Sequence, residues 1–153
     1  MTTHVVIVSG TVFGAAEGVA YHAAELLTEL GLQVTYEPYI DCTELLGLEP
    51  DVLLFVTSTT GMGELPENLQ PLVNSLYEKM PDWQGKLGAV IALGDACYGE
   101  DFCAGGENIR ELFAELGVVE MQAMLRLDAS ETVTPEEDAE PWLEEFAALL
   151  STD

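Results

Sequence analysis

The sequence HVVIVSG at residues 4–10 gives the first indication of the fold: a predicted strand at 4–9 is followed by a glycine-containing turn from Gly10 to Gly14 and by a helix-like segment. Its apolar part, Val5 to Val8, is continuous rather than alternating, as is typical of a strand buried on both faces of a parallel sheet. The segment after the turn has apolar residues three and four positions apart and stops at Gly31. We therefore predict that a strand, a turn and a helix form the first unit of an α/β domain.

The same plan of strand, loop and helix recurs twice along the chain. Apolar runs at 52–56 and 87–93 precede polar, glycine-containing loops at 57–66 and 94–106, and each loop leads into a helix-like segment. The other predicted elements are a strand at 33–36, a short helix within 41–47, a last strand at 118–127 and a closing amphipathic helix carrying Trp142, Leu143, Phe146, Leu149 and Leu150. Strands that alternate with helices predict a three-layer, doubly wound α/β fold with a five-stranded parallel sheet in the order 2-1-3-4-5.

Length and composition limit the classes of protein that the chain can belong to. With 153 residues, 48% of them hydrophobic, we expect a single domain spanning 1–153. No apolar run approaches the roughly 20 residues that span a bilayer, and no secretory signal is evident, so we expect a cytoplasmic protein. Cys42, Cys97 and Cys103 form no CxxC pair, and we expect free thiols.

Charge is the most unusual bulk property of the chain. Twenty-eight acidic residues stand against four basic ones, for a formal net charge of −24. Nucleic acid and anionic membranes are poor partners for such a surface. The acidity either keeps the protein soluble or steers it towards a basic protein partner, and charge alone does not choose between these interpretations.

The predicted topology places a ligand crevice at one edge of the sheet. In the order 2-1-3-4-5 the first and third strands are neighbours whose chains leave in opposite directions, and ligands bind beyond their carboxyl ends. The loops after strands one, three and four are the longest and the richest in glycine and hydroxyl residues. We therefore predict that these three loops form the functional site.

The first loop, SGTVFGAA at 9–16, leads from a strand directly into a helix and contains no Lys or Arg. Amides at a helix N-terminus bind phosphate without a cationic side chain, although the glycines of this loop could also serve turn geometry alone. The loop has neither the GxxxxGK[ST] pattern of a nucleoside triphosphate site nor the spaced GxGxxG of a dinucleotide fold.

The second and third loops complete the predicted site. The second loop is TSTTGMGELP at 57–66, and its hydroxyls can either bind phosphate or cap the next helix. The third loop is GDACYGEDFC at 94–103, and the ring of its Tyr98 can either cover a flat ligand or close the core. A phosphate site and a ring-sized aromatic site on adjacent loops together predict a planar heterocycle with a phosphate tail.

These three motifs resemble the flavodoxins, especially the short-chain flavodoxin-like proteins of the MioC type, and the resemblance covers essentially the whole chain. The segments on which the resemblance rests are 9–14, 58–66 and 93–103. The resemblance implies noncovalent flavin mononucleotide (FMN). The cofactor-binding residues that it implies are Ser9, Gly10, Thr11, Val12, Phe13, Gly14, Ala15, Ala16, Ser58, Thr59, Thr60, Gly61, Met62, Gly63, Leu93, Gly94, Asp95, Tyr98, Phe102 and Cys103.

The resemblance also implies roles for particular residues. Residues 11–16 would hold the phosphate, assisted by Ser58 or Thr59, and Tyr98 would stack on the flavin. Gly61 matches the glycine whose peptide turns over when the flavin is reduced, and Asp95 matches a position near the polar edge of the ring.

Three residues of the first loop depart from the family's pattern. Flavodoxins typically have hydroxyl side chains where this chain has Phe13 and Ala16, and an asparagine where it has Ala15. Each lost hydrogen bond to a charged group is worth roughly 1.5–3 kcal/mol, so the affinity for phosphate is expected to be weaker.

As a flavodoxin-like protein, the chain is expected to carry electrons rather than to catalyse a reaction alone, with no catalytic residue and no metal. The implied partners are a flavoprotein reductase and a downstream redox enzyme, both with basic faces and bound transiently to a monomer. The acidic surface predicts a low potential for the second one-electron step.

Two other functions remain open on the same fold. The chain could be a flavin-dependent NAD(P)H or quinone reductase, although no basic residue is evident for a nicotinamide cofactor's phosphates. Alternatively, it could be a flavodoxin-shaped binding protein with weak or lost FMN affinity, as the altered first loop allows. A phosphorelay receiver is disfavoured because its acidic cluster after the first strand is absent.

Overall fold

A computed structural model of the protein describes residues 3–10, 15–58, 65–66, 68–94, 104–128 and 134–150. The strands are β1 His4–Gly10, β2 Gln33–Tyr36, β3 Val52–Ser58, β4 Leu87–Gly94, β5 Val119–Glu120 and β6 Leu125–Asp128. The helices are α1 Ala15–Glu29, α2 Cys42–Gly47, α3 Gln70–Lys79, α4 Ala104–Leu116, α5 Pro135–Asp138 and α6 Glu140–Leu150.

The strands form one parallel sheet in the order β2-β1-β3-β4-β5, with β6 also paired to β4. This confirms the doubly wound order that the sequence predicts. Strand β1 lies between β2 and β3, and a helix joins each pair of consecutive strands from β1 to β5. The topology therefore has its switch point between β1 and β3.

The last strand differs from the prediction of a single element at 118–127. It is divided into β5 and β6, which pair with the two ends of β4, so the sheet has six strands rather than five. The intervening segment turns towards α6, where the Trp142 Nε1 donates to the carbonyl of Ala123 at 2.9 Å and the Gln122 Nε2 donates to the carbonyl of Trp142 at 3.2 Å. Gln122 and the carbonyl of Ala123 thus form hydrogen bonds with α6 rather than with a neighbouring strand. No local pattern in the sequence indicates this interruption of the strand.

Two apolar layers cover the faces of the sheet, as the alternation of side chains along a strand requires. Val5 and Ile7 face helices α1 and α6, whereas Val6 and Val8 face helices α2, α3 and α4. All four side chains are at most 1% exposed. The buried apolar runs of the sequence are thus the central strands of a three-layer fold.

Helix ends follow the signals in the sequence. Gly31 and Gly117 have positive φ angles of 97° and 78° just after α1 and α4, a conformation that glycine adopts without strain. The short helix within 41–47 is confirmed as α2, and its N-cap, Asp41, accepts a hydrogen bond from the backbone N–H of Glu44 at 2.8 Å. Leu30 and Leu149, which the helical spacing places with the apolar residues, are instead 44% and 46% exposed.

The described residues contain neither a membrane-spanning helix nor a metal-binding cluster. None of the helices described is long and apolar enough to cross a bilayer. Within the same ranges, no cluster of His, Cys, Asp and Glu could hold a metal ion. Cys42 is a buried free thiol, and burial raises the pKa of that thiol; Cys97 and Cys103 lie outside the described residues.

Candidate functional site

The carboxyl ends of β1, β3 and β4 lie side by side at one edge of the sheet. Gly10 is the register partner of Thr57, and Ser58 is the register partner of Leu93. Because all the strands are parallel, the three loops that follow them leave from the same edge. This is the edge at which ligands bind in doubly wound folds.

The helices beside this edge leave on opposite faces of the sheet. Helix α1 begins at Ala15, with four residues between it and the end of β1, and packs in the layer of Val5 and Ile7. Helix α3 follows β3 and packs in the opposite layer, against Val8 and Phe55. Helices that depart on opposite faces from neighbouring strands are the feature that opens a ligand crevice in doubly wound folds.

The structure describes part of the predicted site. Strand register brings together Ser9, Gly10, Ser58, Leu93 and Gly94, while Ala15 and Ala16 lie in the first turn of α1. The predicted residues that lie outside the described ranges are Thr11, Val12, Phe13, Gly14, Thr59, Thr60, Gly61, Met62, Gly63, Asp95, Tyr98, Phe102 and Cys103. Their roles stay predictions.

Two of the described residues direct their side chains into the core. Ala16 is fully buried beneath α1, and Leu93 is 7% exposed in the same apolar layer. Only their backbone groups are therefore available to a ligand. Ala16 can contribute a helix N-terminal amide, which is the kind of group that binds phosphate.

Ser9, the penultimate residue of β1, is held from two directions. Its hydroxyl shares a hydrogen bond with the hydroxyl of Tyr36, with 2.7 Å between the oxygens. Its carbonyl accepts a hydrogen bond from the Asn68 Nδ2 at 3.2 Å. The side chain of Ser9 is only 7% exposed. Two residues distant in sequence thus fix the end of β1.

Sequence reasoning missed Tyr36 and Asn68. Tyr36 is the last residue of β2 and pairs in register with Ile7, two residues before Ser9. Side chains two apart on a strand share a face, so the pairing of β1 with β2 supplies a signal that would have placed Tyr36 near Ser9. Asn68 lies 59 residues from Ser9 in the sequence, and no comparable pattern relates the two.

Gly10, the last residue of β1, is in close contact with the start of the α3 segment. A Cβ atom on Gly10 would lie 2.7 Å from both Cβ and Cδ2 of Leu69. Leu69 itself is 1% exposed in the layer of α3. The position therefore requires glycine because of the closeness of its neighbour rather than because of its own φ angle.

The polar residues that end β3 are buried. Thr57 is fully buried, and its hydroxyl donates to the carbonyl of Ser58 at 2.9 Å. Ser58 is 7% exposed and is the last residue of the strand. Hydroxyls at this depth are costly unless they are hydrogen-bonded, so the end of β3 is a polar boundary between the core and the loop that follows.

Basic side chains are distant from the start of α1 or engaged in ion pairs. Lys79 ends α3 and Lys86 precedes β4, both at the opposite, amino edge of the sheet. The Arg110 Nε contacts the Glu120 Oε2 at 2.8 Å, and the Arg126 Nη2 contacts the Glu107 Oε1 at 2.9 Å. These four are the only lysines and arginines in the chain, so a phosphate at this edge would be held by neutral donors.

Among the residues described at this edge, Tyr36 has a clearly perturbed pKa. Burial raises the pKa of Tyr36 from 10.0 to about 12, a rise that the hydrogen bond with Ser9 opposes and the carboxylate of Glu17 favours. The phenol therefore keeps its proton throughout the physiological range.

The comparisons with known proteins agree with this architecture. The family model described as flavodoxin matches residues 7–142. Flavodoxin YqcA of Escherichia coli is 35% identical, over 93% of this chain and 95% of its own length, and a MioC homologue of Pasteurella multocida is 33% identical, over 98% and 100%. The solved structure of a cysteine-to-serine mutant of flavodoxin from Pseudomonas aeruginosa is 57% identical, with a TM-score of 0.94 over 97% of this chain and 99% of that one.

Proposed function

The chain belongs to the flavodoxin family, and from this premise we propose that it binds FMN beyond the carboxyl ends of β1, β3 and β4 and carries electrons between protein partners. The family itself implies FMN and electron transfer. The residues that hold the cofactor, the partners and the direction of transfer are the parts that we propose here.

The proposal is supported by the way three strand ends meet at one edge of the sheet. The three strand ends from which the predicted loops leave are neighbours in register, at the switch point between a helix on one face and a helix on the other. A flat ring with a phosphate tail requires several chain segments to meet at one crevice, and this edge brings three of them together.

The described residues fit a phosphate-bearing flavin. The first turn of α1 supplies amides that have no partner within the helix, at the positive end of a 15-residue helix dipole, and Ser58 supplies a hydroxyl at the end of β3. Donors of this kind bind phosphate without a cationic side chain. We propose that residues 11–16 hold the phosphate with Ser58 or Thr59, and that the loops after β3 and β4, including Tyr98, hold the ring.

Bound FMN would supply the electron chemistry, since a flavin accepts and releases one or two electrons. The protein's part is to bind the cofactor, to shield it from water and to set the electrostatic potential around it. With a net charge of −24 and no Lys or Arg in the three loops, this chain opposes any further negative charge at the site. We therefore propose a low potential for the second one-electron step.

The proposed partners are a flavoprotein reductase that supplies electrons and a redox enzyme that receives them, each with a basic face. Long-range attraction between opposite charges raises association rates without requiring a tight complex, which suits a carrier that must dissociate after each transfer. We also propose that the protein is a monomer in the cytoplasm, where the buried free thiol of Cys42 would remain reduced.

Electron transfer in the presence and absence of a reductase tests this function. The FMN-loaded protein is mixed with NADPH alone, and then with NADPH and a catalytic amount of a bacterial flavodoxin reductase, while the visible absorption of the flavin is followed. We expect bleaching only when the reductase is present. Steady NADPH oxidation by the isolated protein would contradict the carrier role and favour a flavin-dependent reductase.

A further inference from the structure

We propose that Tyr36 is a positioning residue for the phosphate end of the cofactor: through its hydrogen bond to Ser9 it sets the orientation of the Ser9–Gly10 peptide at the end of β1. This inference rests on the proposed FMN site. Tyr36 lies outside the three loop motifs at 9–16, 57–66 and 94–103, and it acts through Ser9 rather than on the cofactor.

The geometry of the sheet places Tyr36 where it can act on this end of the strand. Strand β2 stops at Tyr36, which is level with Ile7, whereas β1 continues for three further residues to Gly10. Ser9 lies on the same face as Ile7, so the long side chain of Tyr36 reaches past the end of the β1–β2 ladder to the Ser9 hydroxyl.

The ring of Tyr36 is itself held in place. It packs partly buried against the apolar layer of α1 and α6, and the ring of Tyr21 meets it edge-on, with 4.9 Å between centroids and 84° between planes. A hydroxyl on a fixed ring gives a hydrogen bond a defined direction. Because the ring of Tyr36 is fixed, its hydrogen bond constrains the rotamer of the Ser9 side chain.

The main chain beyond Ser9 is held from the other layer of the fold. The side chain of Asn68 donates to the carbonyl of Ser9, and Leu69 packs against Gly10. These contacts come from the start of the α3 segment, on the face opposite to Tyr36. Contacts from both faces of the sheet therefore fix the orientation of the Ser9–Gly10 peptide. The hydrogen bond to Tyr36 is the contact on one face, and the contacts of Asn68 and Leu69 are those on the other.

The hydrogen-bonding capacity of the hydroxyls is consistent with this role. A serine hydroxyl has one donor and two acceptor positions, and the Tyr36 contact uses one of them. Because burial keeps the Tyr36 phenol protonated, it can share this hydrogen bond at any physiological pH.

A purely structural role for Tyr36 makes a different prediction. A hydrogen bond that only stabilised the fold would lower the free energy of unfolding when removed, and it would weaken the binding of any flavin equally. A positioning role affects the phosphate end of the cofactor selectively. Riboflavin, which has the same ring as FMN but lacks the phosphate, distinguishes the two roles.

The test measures dissociation constants for FMN and riboflavin, by flavin fluorescence titration, in the wild type and in Tyr36→Phe, Ser9→Ala and the double variant. Loss of one neutral hydrogen bond should weaken FMN binding about threefold to tenfold. We expect this loss in both single variants, no further loss in the double variant, and riboflavin binding within about twofold of the wild type. Tyr21→Phe, which removes a phenol hydroxyl from the neighbouring, half-exposed ring, should change neither constant.

Three results would overturn the inference. The first is a dissociation constant for FMN that Tyr36→Phe leaves unchanged. The second is an equal loss of affinity for FMN and for riboflavin. The third is a loss of FMN affinity in the double variant that equals the sum of the losses in the two single variants. Urea unfolding of each apoprotein checks that the variants fold. If Tyr36→Phe does not fold, Ser9→Ala removes the same hydrogen bond from the other partner. The ratio of its FMN and riboflavin dissociation constants then distinguishes a positioning role from a structural one. A wild type that binds no FMN would instead overturn the proposed function, and this inference with it.

Discussion

Leu69 lies so close to Gly10 that a methyl group on the glycine would come within 2.7 Å of two of its side-chain carbons. The contact joins the end of β1 to the start of the α3 segment, directly beside the predicted phosphate loop. Both residues are in well-packed surroundings, with Leu69 1% exposed, so neither can move without disturbing its neighbours. The strand end is thus specified by packing as well as by hydrogen bonds.

Substitution of Gly10 tests this packing. Gly10→Ala should lower the free energy of unfolding by about 1–3 kcal/mol, the usual cost of overpacking a core. Gly47→Ala is the matched control, because a Cβ at Gly47 would meet no atom within 4 Å and Gly47 ends a helix. We expect urea unfolding to show the control unchanged or slightly stabilised. Equal stabilities for the two variants would contradict the close contact.

The buried phenol of Tyr36 predicts a dependence of stability on pH in the alkaline range. Its pKa is about 12 in the folded protein against 10.0 ordinarily, so the folded state holds this proton more tightly than the unfolded state does. The resulting stabilisation is fully present below pH 10 and is lost as the pH rises from 10 towards 12, and it amounts to at most about 3 kcal/mol.

Urea unfolding of the wild type and of Tyr36→Phe across this range isolates the contribution of Tyr36 from that of the other titrating groups. We expect the wild type to lose stability more steeply than the variant. Parallel curves would show that burial does not hold the Tyr36 proton.

Glu17 should have opposite effects on the apoprotein and on cofactor binding. It lies in the first turn of α1, where its charge favours the helix dipole but repels a phosphate at the same helix end. Glu17→Gln should lower the apoprotein's free energy of unfolding by about 0.3–1 kcal/mol and tighten FMN binding about twofold to fivefold. Glu25→Gln, two turns further along the exposed side of α1, should do neither. Weaker FMN binding in Glu17→Gln would argue against a phosphate at this helix end.

The fold was predictable because its decisive elements are local patterns. Runs such as Val5–Val8 are apolar on both faces, and Gly31 and Gly117 mark helix ends by a backbone conformation that few other residues adopt. The division of the last strand was not predictable, since it depends on the hydrogen bonds of Gln122 and Ala123 with Trp142. A contact between segments about twenty residues apart leaves no periodic trace in the sequence.

The candidate site shows the same limit. Motifs identify the loops by their glycines and hydroxyls, and the strand register brings Gly10, Ser58 and Gly94 to one edge as the topology requires. The partners of Ser9 come from strand β2 and from the start of the α3 segment, 27 and 59 residues away. Pairing between distant residues can be read only once the order and register of the strands are known.

Charge reversal at the two edges of the sheet tests the proposed docking of a basic partner. Glu37 is exposed just after β2, at the carboxyl edge, whereas Glu78 is exposed near the end of α3, at the amino edge. At low ionic strength Glu37→Lys should slow reduction by a bacterial flavodoxin reductase about twofold to tenfold, and Glu78→Lys should have little effect. The difference should vanish at about 1 M salt, where the Debye length is about 3 Å. Equal slowing by both variants would indicate that only net charge matters.

Retention of FMN by the purified protein is the decisive measurement for the proposed site. The protein is mixed with excess FMN and passed through a gel-filtration column, and the visible absorption of the protein peak is compared with its protein content. We predict that flavin co-elutes with the protein at about one molecule per chain. A folded protein that elutes without flavin would contradict the proposed site and favour a flavodoxin-shaped binding protein, with Phe13, Ala15 and Ala16 as the departures that account for the loss.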